Sequence, residues 1–281
     1  MDLDLKAALA VAQAAAQVGA EAIAQGYRNQ DLTVKNKGLI DLVTQYDLKS
    51  EWAIRAIIKK AFPSHDLLAE EEGLDSANPQ APRWHVDPLD GTTNFAHQHP
   101  FFAVSVALSV PEPAGWKTLV AVVRAPILRE VFWAIRGQGA FLQSLDHRQD
   151  GQPLANARQL RVSSANRLVQ SLVNTGFPYD VHTRAREIVA PFERMLGQVQ
   201  AVRRAGAASL DLAFVAAGRA EGYWETGLKP WDVAAGALLV EEAGGQVTDG
   251  QGAAYQLEKS PTILASNGLI HQEMVSIINE L

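Results

Sequence analysis

The sequence predicts a layered α/β protein, and three observations predict it. Apolar runs rich in β-branched and aromatic residues recur through the first half, separated by turn residues. In the second half, such runs alternate with stretches of helical periodicity. No internal repeat or low-complexity linker interrupts the 281 residues. One domain is therefore expected, with a soft internal boundary near 145–160.

The N-terminal stretch "MDLDLKAALAVAQAAAQVGAEAIAQGY" reads as an amphipathic helix packed on the body and ended by Gly26. It lacks a basic leader region, and Asp2, Asp4, Lys6 and Glu21 interrupt it. With no unbroken run of about 18 apolar residues, a soluble protein without membrane contact is expected. A second helix is predicted from about Leu48 to Ala61, carrying apolar Trp52, Ile54, Ile57 and Ile58 and stopping at Pro63. "DLLAE" (66–70) and "WHVD" (84–87) read as short strands, and "FFAVSVALSV" (101–110), "TLVAVVRAP" (118–126) and "EVFWAIRG" (130–137) as an antiparallel meander. The polar, turn-rich "SLDHRQDGQPLANAR" (144–158) is expected to be an exposed loop. Beyond it, strands at 171–177, 199–204, 220–226 and 262–267 alternate with helices at 183–197, 209–218, 231–245 and 270–280. Gly218 and Gly244-Gly245 close two of those helices.

Composition narrows the function. A net charge of −6 argues against a general nucleic-acid binder, which needs a basic face. A phosphorylated substrate remains open, because bound cations can reverse the local field. The absence of cysteine removes any disulfide framework, thiolate metal site or cysteine nucleophile, and suits a cytoplasmic location.

Three acidic stretches lie at strand ends or helix starts: Glu70-Glu71-Glu72 after "DLLA", Asp87 and Asp90 in "WHVDPLDGTTNF", and Asp232 in "KPWDVAAG". Layered α/β proteins place functional groups at strand ends. Crowded carboxylates need a cation or a proton between them, and without cysteine or clustered histidine they favour a hard cation, Mg²⁺ above all. An EF-hand does not fit: counted from Asp87, its third and twelfth positions would be Leu89 and Gln98. Plainer readings exist. Glu71 and Glu72 can be solvated loop charges, Asp232 a helix N-terminal acid, and Asp-Pro a turn. Gly91-Thr92-Thr93 adds information: if a helix begins there, its free N–H groups and hydroxyls offer an anion site beside the acids. Metal-holding acids beside a phosphate cradle suit metal-assisted phosphoryl transfer.

At this point "DPLDGTTNF" (87–95), "AEEE" (69–72) and "WDVAAGALLVEEAGG" (231–245) resemble the inositol monophosphatase family of Mg²⁺-dependent, lithium-sensitive phosphatases. "DLVTQYD" (41–47), "FPSH" (62–65), "GQGAFL" (137–142), "LRVS" (160–163), "TGFPYD" (175–180) and "RRAGAASLDLAFVAAGRAEGYWE" (203–225) follow in family order, so the resemblance spans nearly the whole chain. It implies an α-β-α-β-α sandwich and two or three Mg²⁺ ions. The first ion would be held by Glu70, Asp87 and the Leu89 carbonyl, the second by Asp87, Asp90 and Asp232, and a third would again involve Glu70. Asp47 and Thr92 match the pair that activates water, with Glu70 assisting. Phosphate would lie on the N–H groups of Gly91 and Thr92. The substrate ring would meet Asp90, Gly206-Ala207-Ala208, Glu225 and Asp232.

Two departures stand out. Ala69 occupies a place often held by glycine, and Ala207 one where some relatives carry a hydroxyl. His97 and His99 read as surface histidines, Arg203 and Arg204 as structural or phosphate-facing, and Trp224 and Trp231 as packing. The leading expectation is hydrolysis of inositol monophosphate, a small phosphorylated polyol, by a cytoplasmic homodimer. Fructose 1,6-bisphosphate or a broader range of sugar and nucleotide phosphates is the alternative, since a few hydrogen bonds discriminate poorly among polyols. A regulatory binding protein retaining the fold is the third.

Overall fold

The computed structural model describes residues 3–75, 78–113, 115–145 and 157–280. Helix α1 (Leu5–Gly26) starts at Asp4, whose carboxylate accepts the N–H groups of Lys6 and Ala7 at 3.0 Å. Its buried face is small: Ala8, Ala12, Ala15, Ala16, Gly19 and Ala20. That lets it lie close on α2 (Gln45–Ala61), where a Cβ on Gly19 would stand 2.7 Å from Ile54. By length and composition α1 could cross a membrane, because its many alanines give a mean hydropathy of 1.3. This corrects the expectation that no such stretch exists; here the alanine face is spent on α2 and the adjoining sheet.

Two short strands, β1 (Val34–Asn36) and β2 (Leu42–Thr44), pair antiparallel ahead of α2. Helix α2 starts three residues before the predicted Leu48. Its first turn is polar and invisible to hydrophobic periodicity, and the start is set by a capping box between Thr44 and Asp47.

The large sheet holds β3 (Asp66–Ala69), β4 (Gly73–Leu74), β5 (Arg83–Asp90), β6 (Ala103–Glu112), β7 (Gly115–Ala125), β8 (Glu130–Ile135), β9 (Ala140–Ser144) and β10 (Arg158–Gln159), in the order β10-β9-β8-β7-β6-β5-β3-β4. The meander expected from the sequence is antiparallel from β5 to β9, and β3 runs parallel to β5. The central part of the expected 144–158 loop lies outside the described residues.

A short helix, α3 (Thr92–Ala96), follows β5. The second sheet contains β11 (Leu172–Thr175), β12 (Ala201–Arg203), β13 (Gly222–Thr226), β14 (Gln246–Asp249) and β15 (Thr262–Ser266), in the order β12-β11-β13-β15-β14. It is mixed: β11 is parallel to β12 and β13, whereas β15 is antiparallel to β13 and β14. Helices α4 (Val181–Leu196) and α7 (His271–Asn279) cover its outer face. Helices α5 (Ala208–Ala216) and α6 (Pro230–Glu242) lie between the two sheets, almost wholly apolar, as a helix sandwiched on both sides must be. The layers are therefore α1/α2, large sheet, α5/α6, small sheet, α4/α7.

Candidate active site

Strand β5 carries the first pair of acids. Alternation sends Trp84 and Val86 into the core beneath α1 and α2, and His85 and Asp87 to the opposite face. Asp90, three residues on, would by strict alternation point away from Asp87. It does not, because β5 shifts register against β6: Asp87 pairs with Ser105 and Asp90 with Ala103, so that Pro88 and Leu89 together face Val104. The extra residue, beside Pro88, resets the parity and turns both acids toward one cleft.

That cleft holds about 290 Å³. Glu70 enters it from the end of β3, Asp87, Leu89 and Asp90 from β5, Gly91 and Thr92 from the α3 start, Gly206 and Ala208 from the α5 start, Glu225 from β13, and Asp232 from the first turn of α6. The convergence is built by the layering, since each of these strand and helix ends opens on the same seam. Asp47 lies one step behind. Its Oδ1 accepts the Thr92 hydroxyl at 2.9 Å, and its Oδ2 accepts the N–H and hydroxyl of Thr44 at 2.8 and 2.5 Å. Ala207, expected beside the substrate, is buried in the core and its side chain does not line the cleft. The reason is its place just before α5, which turns its methyl toward the packed layer.

Gly91 is needed where it stands. Its φ is 95°, and a Cβ there would press on the carbonyls of Phe101 and Gly206 at 3.1 and 3.2 Å. Asn94 ties the two loops, donating to the carbonyls of Phe101 and Ala205 at 2.7 and 2.8 Å.

Burial dominates the electrostatics. It pushes Glu70 up to about 7 against the pull of Lys37, and Glu225 up to about 7 against the Tyr223 hydroxyl and Arg204. It pushes Asp90 up to about 6, partly offset by donors from Ser209 and Ala208. Asp87 and Asp232 are raised by burial first and then by neighbouring acids; Asp47 is raised by burial, with its hydroxyl partners opposing.

Among the described residues, no three acidic or histidine side chains already stand at ligand spacing. Glu70, Asp87, Asp90 and Asp232 are each turned to a donor of their own chain. Glu70 takes the Lys37 ammonium at 3.0 Å, Asp87 the Leu89 N–H at 2.9 Å, and Asp232 the Lys229 N–H at 2.7 Å. Asp90 takes the Ser209 N–H and hydroxyl at 2.7 and 2.6 Å. The donor set still suits a hard cation: four carboxylates, no soft ligand, and mutual repulsion that a cation would relieve.

Several cleft residues lie outside the expected site, some of them within the family motifs. Lys37, between β1 and β2, bridges Glu70 and Glu71. Asp41, Tyr179 and Lys229 also line the cleft, as do Arg204 and Trp231. Thus Trp231 faces the cleft, whereas Trp224 packs in the core as expected. Glu71 is an ion-paired, nearly buried acid, which corrects its reading as a solvated charge; Glu72 is 61% exposed and keeps that reading. His97 and His99 are exposed.

A five-layer fold with an acid-lined cleft at its seam defines a class, the layered α/β phosphatases. Residues 4–281 match the model of the Inositol monophosphatase family. An inositol-1-monophosphatase of Caulobacter vibrioides is 37% identical over 87% of this chain and 90% of its own. A protein of Pseudomonas aeruginosa named Nus factor SuhB is 40% identical over 96% and 95%. The solved structure of extragenic suppressor protein suhB from Bartonella henselae superimposes with a TM-score of 0.85 at 38% identity, covering 98% and 99% of the two chains. The chain belongs to the inositol monophosphatase family. It is a phosphatase, and the family is generally metal-dependent.

Proposed function

We propose that this phosphatase hydrolyses inositol monophosphate, converting myo-inositol 1-phosphate and water to myo-inositol and phosphate, with Mg²⁺ as its cofactor. The observation that carries the reading is the meeting of Glu70, Asp87, Asp90 and Asp232, from the end of β3, from β5 and from α6, in a cleft beside Gly91 and Thr92.

Glu70, Asp87 and the Leu89 carbonyl would hold one Mg²⁺, Asp87, Asp90 and Asp232 a second, and Glu70 would share in a third. When bound, the cations supply Lewis acidity, lowering the pKa of water and neutralising charge on the phosphoryl oxygens. The chain's own residues do the rest. The Thr92 hydroxyl stands 2.9 Å from Asp47 Oδ1 and 3.0 Å from the Leu89 carbonyl. With its proton directed at Asp47, its oxygen accepts a hydrogen bond from water and can take the water proton as it passes its own to the carboxylate. Thr44 saturates the other Asp47 oxygen and so fixes the direction of that relay. The N–H groups of Gly91 and Thr92 hold the phosphate. Asp90, Gly206, Ala208, Glu225 and Asp232 line the place for the polyol ring.

The test compares phosphate release from myo-inositol 1-phosphate and fructose 1,6-bisphosphate, with and without Mg²⁺, alongside Asp90→Asn. The reading requires Mg²⁺-dependent release that favours the inositol ester and that the variant loses. A preference for the sugar bisphosphate would move the assignment to that branch. The reading also includes lithium inhibition, a homodimer and a cytoplasmic site of action, checked by inhibition kinetics, sedimentation and fractionation.

The similarity to proteins named Nus factor SuhB supports a second reading, a regulatory role carried by the same fold in addition to hydrolysis. If it holds, Asp90→Asn abolishes phosphate release yet still complements loss of this protein in its own cell. Failure to complement would leave hydrolysis alone.

A further inference from the structure

Strand β13 places Tyr223 and Glu225 two residues apart and so on one face, with Trp224 turned to the other layer. Tyr223 is fully buried among the apolar residues between the sheets. Its hydroxyl donates to Glu225 Oε2 at 2.5 Å. On the other side, Glu225 lies flat on the backbone of Gly176, so close that a Cβ there would overlap both carboxylate oxygens. Arg204, across the same cleft, attracts Glu225 electrostatically. Glu225 is thus held by a phenol on one side and a bare backbone on another, with the Arg204 cation lining the same cleft.

We propose that Tyr223 is a specificity-determining positioning residue: it commits Glu225 Oε2, so that Oε1 is presented to the ring hydroxyls of a polyol phosphate. The assignment rests on the function proposed above. A buried tyrosine hydroxyl in an apolar layer has a desolvation cost that only a good partner offsets. The bond also fixes the plane of the carboxylate, which would otherwise swing toward Arg204 and narrow the space for the ring. A phosphate ester without ring hydroxyls has nothing to offer Oε1 and does not sense that orientation.

The experiment measures kcat and KM of wild type and Tyr223→Phe with myo-inositol 1-phosphate and with p-nitrophenyl phosphate, both with Mg²⁺. The expected result is a rise of about tenfold in KM for the inositol ester, the order expected for one hydrogen bond involving a charged group. Its kcat, and both constants for the aryl ester, should stay within about twofold. Gly176→Ala, which displaces Glu225 from outside the core, should give the same pattern. On a Glu225→Gln background Tyr223→Phe should add nothing, because the tyrosine acts through the glutamate. Equal changes for both substrates, no change, or full additivity with Glu225→Gln would overturn the assignment and leave the proposed function standing. Wild-type turnover of the aryl ester without the inositol ester would overturn both.

Discussion

Single side chains in the cleft are held in place by donors, and their charge is set by burial. Glu70 and Glu225 are raised from 4.5 to about 7, and Asp90 from 3.8 to about 6. A carboxyl whose pKa rises on folding favours the folded state while protonated, and that contribution is lost as pH climbs through the folded value. The metal-free protein should therefore lose melting temperature between about pH 5 and about pH 7, where these groups ionise against one another. A cation that relieves the repulsion binds only the ionised acids. Added Mg²⁺ should accordingly raise the melting temperature strongly above about pH 7 and scarcely below about pH 5. An equal shift at both pH values would mean that the cation sits elsewhere. Thr92 makes a different prediction. Thr92→Ala removes the proposed relay to Asp47 and leaves Glu70, Asp87, Asp90 and Asp232 in place, so kcat should fall by about 10² or more. The Mg²⁺-induced rise in melting temperature should survive the change, and losing both would assign Thr92 to metal binding.

At the scale of elements, the same residues build and equip the site. Thr44 and Asp47 form the box that starts α2, and Asp47 is also the partner of Thr92. Thr44→Ala should cost about 1 kcal/mol in denaturant unfolding as a lost cap. It should also lower kcat, since Asp47 Oδ2 loses a hydroxyl donor. A stability loss with unchanged kcat would separate the cap from the relay. Helix α5 shows the same economy: its first N–H groups, with the Ser209 hydroxyl, grip Asp90. Element positions were largely legible in the sequence, because β-branched runs and helical periodicity marked most strands and helices. The start of α2, the β1–β2 pair and β14 were not: their residues are polar or too few to show a period.

In the molecule as a whole, two sheets and three helical layers bury apolar faces on both sides of α5 and α6 and beneath α1. The alanine face of α1 sets its distance from the large sheet. Ala16→Leu, at a fully buried position, should therefore destabilise by about 1–3 kcal/mol through overpacking. Activity per folded molecule should be unchanged, because α1 lies on the far side of the sheet from α5 and α6. A selective loss of activity would show that strain passes through β5 to the acids.

The sequence by itself determined the layered α/β class, the family, and which acids to suspect. Those properties are local: periodicity, turn residues, and carboxylates set at strand and helix ends. Only the tertiary structure decided which residues share the cleft. The register shift in β5 gives Asp87 and Asp90 a common face, and no spacing rule announces it. Lys37, Tyr179 and Trp231 join the lining, and the Ala207 side chain is left behind it, by the way loops from distant parts of the chain close over one seam. The seating of Glu225 also needed the fold, because the bare backbone of Gly176, remote in the sequence, is brought beside it only by the pairing of β11 with β13. Side-chain chemistry is written along the chain, but distances between remote residues exist only once the layers have packed.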